Sequence, residues 1–207
     1  VTVKRAGRFL EMVTNMAYET LEVRIVGVSP LLIHNAQLAD PMNRFVRAIK
    51  EITAKGRKKT DSDLEALSKL EFLGGLYLGD KGVPAIPGEC IEGMIRDGAK
   101  KSRAGKDAIC GIISDGVWPI EYDGPKDPEK LWLDDRFRDY RGVKVGSSRV
   151  MRMRPRFNSW AITFSVAYQD EVVNRGNLEK WIRDAGQLVG LCDFRPRFGR
   201  FEVESVK

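Results

Sequence analysis

GLCDFRPRFGRFEVE, residues 190–204, joins a connection rich in arginine and glycine to a segment that alternates. Phe201 and Val203 fall on one side and Glu202 and Glu204 on the other, the period-two pattern of a half-buried strand. Ahead of that strand stand Arg195, Arg197, Gly190, Gly199 and Pro196. Glycine lets backbone N–H groups approach a ligand, and a guanidinium fork matches a phosphate, so such a loop can hold an anion. It also reads as a helix-to-strand turn with solvated arginines. Spacing alone leaves both readings open.

Immediately upstream, Leu178, Trp181, Ile182, Ala185, Leu188 and Val189 recur at helical spacing, with Asn177 in the position of an N-cap. Before that helix, Trp160, Ile162, Phe164, Val166 and Tyr168 alternate as a core strand. Residues 143–157 form the most basic segment, with Lys144, Arg149, Arg152, Arg154 and Arg156. In an extended chain Arg152, Arg154 and Arg156 share one side at intervals of about 6.6 to 6.8 Å, and Met151 and Met153 face the other way. Such a ladder can track a sugar-phosphate backbone. The competing account is a solvated strand face paired with acids, but residues 143–167 contain no Asp or Glu. The basic stripe therefore favours nucleic acid. Residues 123–142 form a polar excursion carrying Leu131, Trp132, Leu133 and Phe137, which must pack locally or against a neighbour, and residues 117–122 read as a strand.

In the first half, Leu21, Val23 and Ile25 alternate as a first strand that Ser29 and Pro30 end. Asp40 before Pro41 is the signature of a helix start, followed by Phe45, Val46 and Ile49. A short helix is expected from about Thr60 with Leu64, Leu67 and Leu70, then a hairpin over 76–86. IPGECIEGMIRDGAKKSR, residues 86–103, reads as a helix with Cys90, Ile91, Met94, Ile95 and Ala99 on one face. Gly93 and Gly98 inside it each cost about 1 kcal/mol of helix propensity, so a backbone or a ligand should come close there.

The chain has 207 residues, 43% hydrophobic and 31% charged, the composition of a single globular domain. We expect that domain over 20–207, with 1–19 as an N-terminal extension for which disorder is one reading, and Met12 or Met16 as alternative natural starts. No apolar run approaches the roughly 20 residues of a membrane span. Cys90, Cys110 and Cys192 are widely spaced and His34 stands alone, which disfavours a zinc site or a disulfide framework. No metal or cofactor is expected, and the location expected is a reducing cytoplasm. Thirty-five Lys and Arg against 29 Asp and Glu give a net charge of +6, which suits an anionic partner.

Without its insertions the order is strand, helix, strand, strand, helix, strand, an α+β, ferredoxin-like or RRM-like βαββαβ palm. Two segments then resemble one family. IPGECIEGMIR, residues 86–96, is similar to the "IPGSSLKGxLR" helix entry of the RAMP superfamily of CRISPR systems. GLCDFRPRFGRFEVE is similar to that superfamily's C-terminal glycine-rich loop and last strand. The Cas-seven-like backbone subunits, including phage- and prophage-encoded ones, bear the greatest likeness. The resemblance implies a palm with a finger-like insertion over 34–86 and a thumb-like one over 123–148, gripping single-stranded RNA or DNA and assembling head to tail as a homo-oligomeric filament. Other CRISPR-type or phage proteins are implied as further partners. It places Gly88, Arg96, Gly190, Arg195, Arg197 and Gly199 near the strand, beside the ladder of Lys144, Arg149, Arg152, Arg154 and Arg156. Cys192, Asp193 and Glu89 depart from the family pattern, and an acid facing phosphate is unfavourable. Some relatives cut RNA with a histidine or with an aspartate after the first strand, for which His34 and Asp40 are the candidates. Each has a plain alternative, an ordinary hydrogen-bonding imidazole and a helix cap. The expected function is non-catalytic binding; the alternatives are an endoribonuclease and a phage protein that acts on a host CRISPR complex.

Overall fold

The computed structural model describes residues 18–207, so Met12, Met16 and nearly all of the 1–19 extension lie outside it. The strands are β1 (Tyr18–Gly27), β2 (Leu31–Leu32), β3 (Ala85–Pro87), β4 (Ile112–Ile113), β5 (Val117–Pro119), β6 (Arg138–Val145), β7 (Ser148–Phe157), β8 (Ala161–Gln169) and β9 (Phe201–Val206). The α-helices are α1 (Arg44–Ala54), α2 (Asp61–Gly75), α3 (Gly88–Ala99), α4 (Gly105–Gly111), α5 (Pro128–Trp132) and α6 (Arg175–Leu188).

Four strands form an antiparallel sheet in the order β4-β8-β1-β9. With α3 after β1 and α6 after β8, this is the βαββαβ arrangement of an α+β protein. One strand differs from the sequence pattern. The edge position belongs to β4, whose Ile112 and Ile113 pair with Tyr168 and Ala167. Residues 117–122 instead supply β5, which pairs Val117, Trp118 and Pro119 with β3, and a bridge from Glu121 to Ala161. Two paired residues are too few to print a period on the sequence, which is why β4 is invisible there.

The alternating residues Leu21, Val23, Ile25, Ile162, Phe164, Val166 and Tyr168 are buried beneath Ile91, Met94 and Ile95 of α3 and Leu178, Trp181 and Ile182 of α6. Gly98 explains how closely the two helices meet. A Cβ there would lie 2.2 Å from the Trp181 carbonyl oxygen and 3.0 Å from Ala185 Cβ. The close approach expected at the helical glycines is thus a backbone at Gly98. Gly93 is different, because a Cβ there would meet only the Arg96 guanidinium at 3.7 Å.

Two caps differ from expectation. Asn43, not Asp40, caps α1, accepting from Phe45 N, because Asp40 instead bends its carboxylate back to Met42 N in an Asx turn. Asn174, not Asn177, caps α6, accepting from Asn177 N. Thr60 caps α2 as expected, in a capping box with Asp63. That helix runs 15 residues rather than a short span.

A second sheet, β2-β7-β6, stands beside the first. Its hairpin places Arg141 opposite Arg152 and Lys144 opposite Arg149. Three of the large apolar groups of the polar excursion, Leu131, Trp132 and Phe137, are buried against the rest of the fold, with Trp132 meeting Phe72 edge-on at 5.4 Å and Phe137 meeting Phe157 at 5.8 Å, while Leu133 is exposed. Among the described residues, no helix is long and apolar enough to cross a membrane.

The two glycines of α3 should respond oppositely to alanine. Gly98→Ala should destabilise by about 1 to 3 kcal/mol through overpacking against a backbone that cannot yield. Gly93→Ala should be neutral or stabilise by up to about 1 kcal/mol. Urea denaturation of the two variants checks the difference in sign.

Candidate nucleic-acid interface

The connection from α6 to β9 closes on itself at its neck. Gly190 and Gly199 adopt φ +88° and +73°. A Cβ on Gly199 would sit 2.0 Å from the Leu191 carbonyl oxygen, and one on Gly190 2.5 Å from that of Phe198. Leu191 N donates to Gly199 O at 2.8 Å, and Leu191 and Phe198 are buried. The glycines therefore serve the crossing of two backbones. The loop is stitched to the segment after β1, Gly199 N donating to Pro30 O (2.8 Å) and Asp193 N to Leu32 O (3.0 Å). Cys192 and Phe194, flanking Asp193, are held at φ +63° and +57°, where L side chains are strained.

The tip of this loop gathers three basic segments that lie far apart in sequence. Arg154 of β7 is buried and forms an ion pair through Nε with Asp193 Oδ2 at 2.5 Å. Arg195 reaches Asp97 of α3 at 3.3 Å, where Lys100 (2.7 Å) and Arg96 (3.4 Å) also converge. Arg141 of β6 lies over the rings of Phe198 (4.5 Å) and Phe194 (5.3 Å). Burial opposes the charge on Asp97, but the Lys100 hydrogen bond and the charges of Arg96, Lys100 and Arg195 outweigh it and hold the carboxyl below its ordinary range.

The arginine ladder is ion-paired after all, with acids from elsewhere in the chain. Arg152 meets Glu71 of α2 at 2.5 Å, Arg154 meets Asp193, and Arg156 lies 3.7 Å from Asp139 of β6, which also binds Arg141. Glu71 and Asp139 are buried, and Glu71 Oε2 also accepts from Met153 N at 2.9 Å. The absence of acids over 143–167 was therefore no guide to the fold's pairing. Even so, Arg96, Lys100, Arg195, Arg141, Arg156, Arg154 and Arg152 share only Asp97, Asp139, Asp193 and Glu71, which leaves three positive charges in surplus. Arg154 Nη1 and Arg156 Nε are buried without a hydrogen-bond partner among the described residues.

The remaining candidates fall in different places. Arg197 is exposed on the loop. Lys144 and Arg149 are exposed at the hairpin tip, where alternation puts Arg149 on the face of Met151 and away from Arg152. Gly88 is buried: its N–H donates to Gly116 O at 2.8 Å, and a Cβ would lie 1.6 Å from the Ser114 carbonyl oxygen. Glu89 is exposed on the first turn of α3, a favourable end of the helix dipole for an acid. The two motifs that carry the family resemblance touch through their cysteines. Hydrogen bonding from Cys192 draws the Cys90 thiol down, and the same contact pushes Cys192 up.

His34 and Asp40 are not one site. His34 lines a cleft of about 240 Å³ with Lys50, Glu71 and Arg152, whereas Asp40 is exposed in its Asx turn. Desolvation, then the Arg154 charge, lowers the His34 pKa. No group of three or more His, Cys, Asp or Glu that could hold a metal occurs among the described residues. Sequence reasoning missed Arg141, Phe194 and three of the shared carboxylates, Glu71, Asp97 and Asp139, and named Asp193 without its partner. Phe194 was visible as an aromatic between Asp193 and Arg195; nothing local marks Glu71 as the partner of Arg152.

Two measurements follow from these pairs. Asp193→Ala should destabilise by about 3 kcal/mol, the low end of the range because Asp193 is about a third exposed, and adding Arg154→Met should recover much of the loss. Because the folded-state pKa of His34 is depressed, the unfolded chain binds more protons near pH 6. Stability should therefore fall as pH drops through the unfolded value near 6.5, until the folded form is protonated too. His34→Gln should flatten that part of a melting-temperature profile.

No family model matches the sequence, and no curated protein matches it. Among solved structures the chain is similar to one in the cryo-electron microscopy structure of the Type III-B Cmr-beta bound to cognate target RNA, at 14% sequence identity and a TM-score of 0.48. That match covers 100% of this chain and 66% of the other.

Proposed function

We propose that this protein is a RAMP-type, Cas-seven-like subunit that binds single-stranded nucleic acid through its backbone, with the 190–200 loop, the end of α3 and the β6–β7 hairpin as its contact surface. The observation that carries this reading is the convergence at the loop tip of three basic segments, with Arg154, Arg195, Arg96, Lys100 and Arg141 gathered about Asp193, Asp97 and the Phe194 and Phe198 rings. The motif likeness at 86–96 and 190–204 supports the family. In this proposal Arg195, Arg197, Lys100 and Lys101 meet phosphates, while Arg154 and Arg156 set the shape of the surface. Residues 34–86 act as the finger, 123–148 as the thumb, and copies assemble head to tail along the strand, in a CRISPR complex of host or phage origin. Asp193 does not oppose phosphate, because its charge is already matched by Arg154.

A second reading rests on His34. An imidazole with a lowered pKa, lining a cleft with Lys50, Glu71 and Arg152, offers groups that RNA cleavage by general acid–base catalysis uses.

Fluorescence-anisotropy titrations with single-stranded RNA, single-stranded DNA and duplex at two salt concentrations test the first reading. Arg195→Glu with Arg197→Glu should weaken single-strand binding by tenfold or more and lower the salt slope by about 0.7 per lost phosphate contact. Unchanged affinity would overturn the proposal. Cleavage of labelled RNA that disappears in His34→Ala would establish the second reading instead.

A further inference from the structure

Beside the loop lies an open groove of about 600 Å³, whose walls include Lys100, Lys101, Arg195, Phe194, Leu188 and Val189. Phe194 is 40% exposed, an unusual state for a phenylalanine held so firmly. Phe198 meets it edge-on at 5.8 Å, with the planes at 76°, and the Arg141 guanidinium lies 5.3 Å from its centroid. Its backbone sits at φ +57°, a conformation that Phe adopts only where its surroundings impose it. The neighbouring Asp193 supplies that constraint through its ion pair with Arg154 and its hydrogen bond to Leu32. The other exposed aromatics among the described residues, Tyr18 and Tyr140, are not part of this groove.

We infer that this groove is a nucleotide subsite, in which one unpaired base stacks on the open face of Phe194 while Lys100, Lys101 and Arg195 take the flanking phosphates. The inference rests on the proposed strand binding and adds to it a reason for preferring single strands. An aromatic face accepts any base but only one that is out of its duplex, so the site discriminates strandedness and not sequence. The two carboxylates on the groove wall do not prevent this, since Asp97 and Asp193 are each occupied by cations.

The test compares an intact oligouridine with the same sugar-phosphate strand carrying abasic positions, using the full chain. Wild type should bind the intact strand about tenfold more tightly, the worth of one stacked base. Phe194→Ala should abolish that difference, so that intact and abasic strands bind alike, and Phe194→Trp should restore it. Quenching of 2-aminopurine in the strand by wild type, and its loss in Phe194→Ala, gives a readout that misfolding would not mimic while abasic binding persists. Equal affinity for both strands in wild type would overturn the base subsite and leave backbone binding standing. A difference that survives Phe194→Ala would overturn the assignment to this residue. Failure to bind either strand would overturn the proposed function itself.

Discussion

The pairing of the buried Arg154 with the partly exposed Asp193 is the interaction on which the candidate surface depends. A guanidinium taken out of water must find a counter-charge, because an uncompensated buried ion costs several kcal/mol. Arg154 cannot find one on its own hairpin, where Asp139 already serves Arg141 and lies near Arg156. Asp193 arrives from the connection between α6 and β9, which crosses itself at Gly190 and Gly199 and hydrogen-bonds to Leu32. One ion pair thus ties the β2-β7-β6 sheet to the connection that enters β9.

The pair of Arg195 and Asp97 is of another kind. Arg195 and Asp97 stand 3.3 Å apart with both side chains partly exposed, and exposed pairs contribute at most about 1 kcal/mol. A phosphate can replace such a carboxylate at little cost, while the carboxylate keeps the guanidinium extended until it does. Arg154 does not exchange in this way. The surface therefore has a fixed inner layer, Arg154 and Arg156 with their acids, and an exchangeable outer layer of Arg195, Arg197, Lys100 and Lys101. This division also explains why acids inside a basic patch are compatible with a polyanion.

Sequence patterning made the fold legible wherever a face is buried over several residues. The alternation at 21–25 and 160–168 and the helical stripes at 91–99 and 178–185 lie in the core, whereas Leu188 at the end of the second stripe is exposed. It failed at β4, where two isoleucines pair beyond any measurable period, and at the caps of α1 and α6, where an equally competent Asn lay nearby. For the site, the basic residues were legible and their pairing was not. Glu71 lies on a different helix, 81 residues from Arg152, and only the packing of α2 beneath β7 brings them together. Local composition cannot report a contact that the tertiary fold creates.

The location of this surface is itself informative about the sheet. On the side away from α3 and α6, β1 presents Thr20, Glu22, Arg24 and Val26, β8 presents Thr163 and Ser165, and β9 presents Glu202 and Glu204. Arg24 is held between Glu121 and Glu204, and Lys207 lies 3.4 Å from Glu22. Tyr18 stands at the rim, but β8 and β9 add no aromatic to that face. A four-stranded sheet that bound RNA on its open side would need aromatic platforms in its central strands. Here those positions carry hydroxyls, Val26 and carboxylates paired with Arg24 and Lys207, and both the surplus positive charge and the exposed Phe194 lie instead at the loop and hairpin.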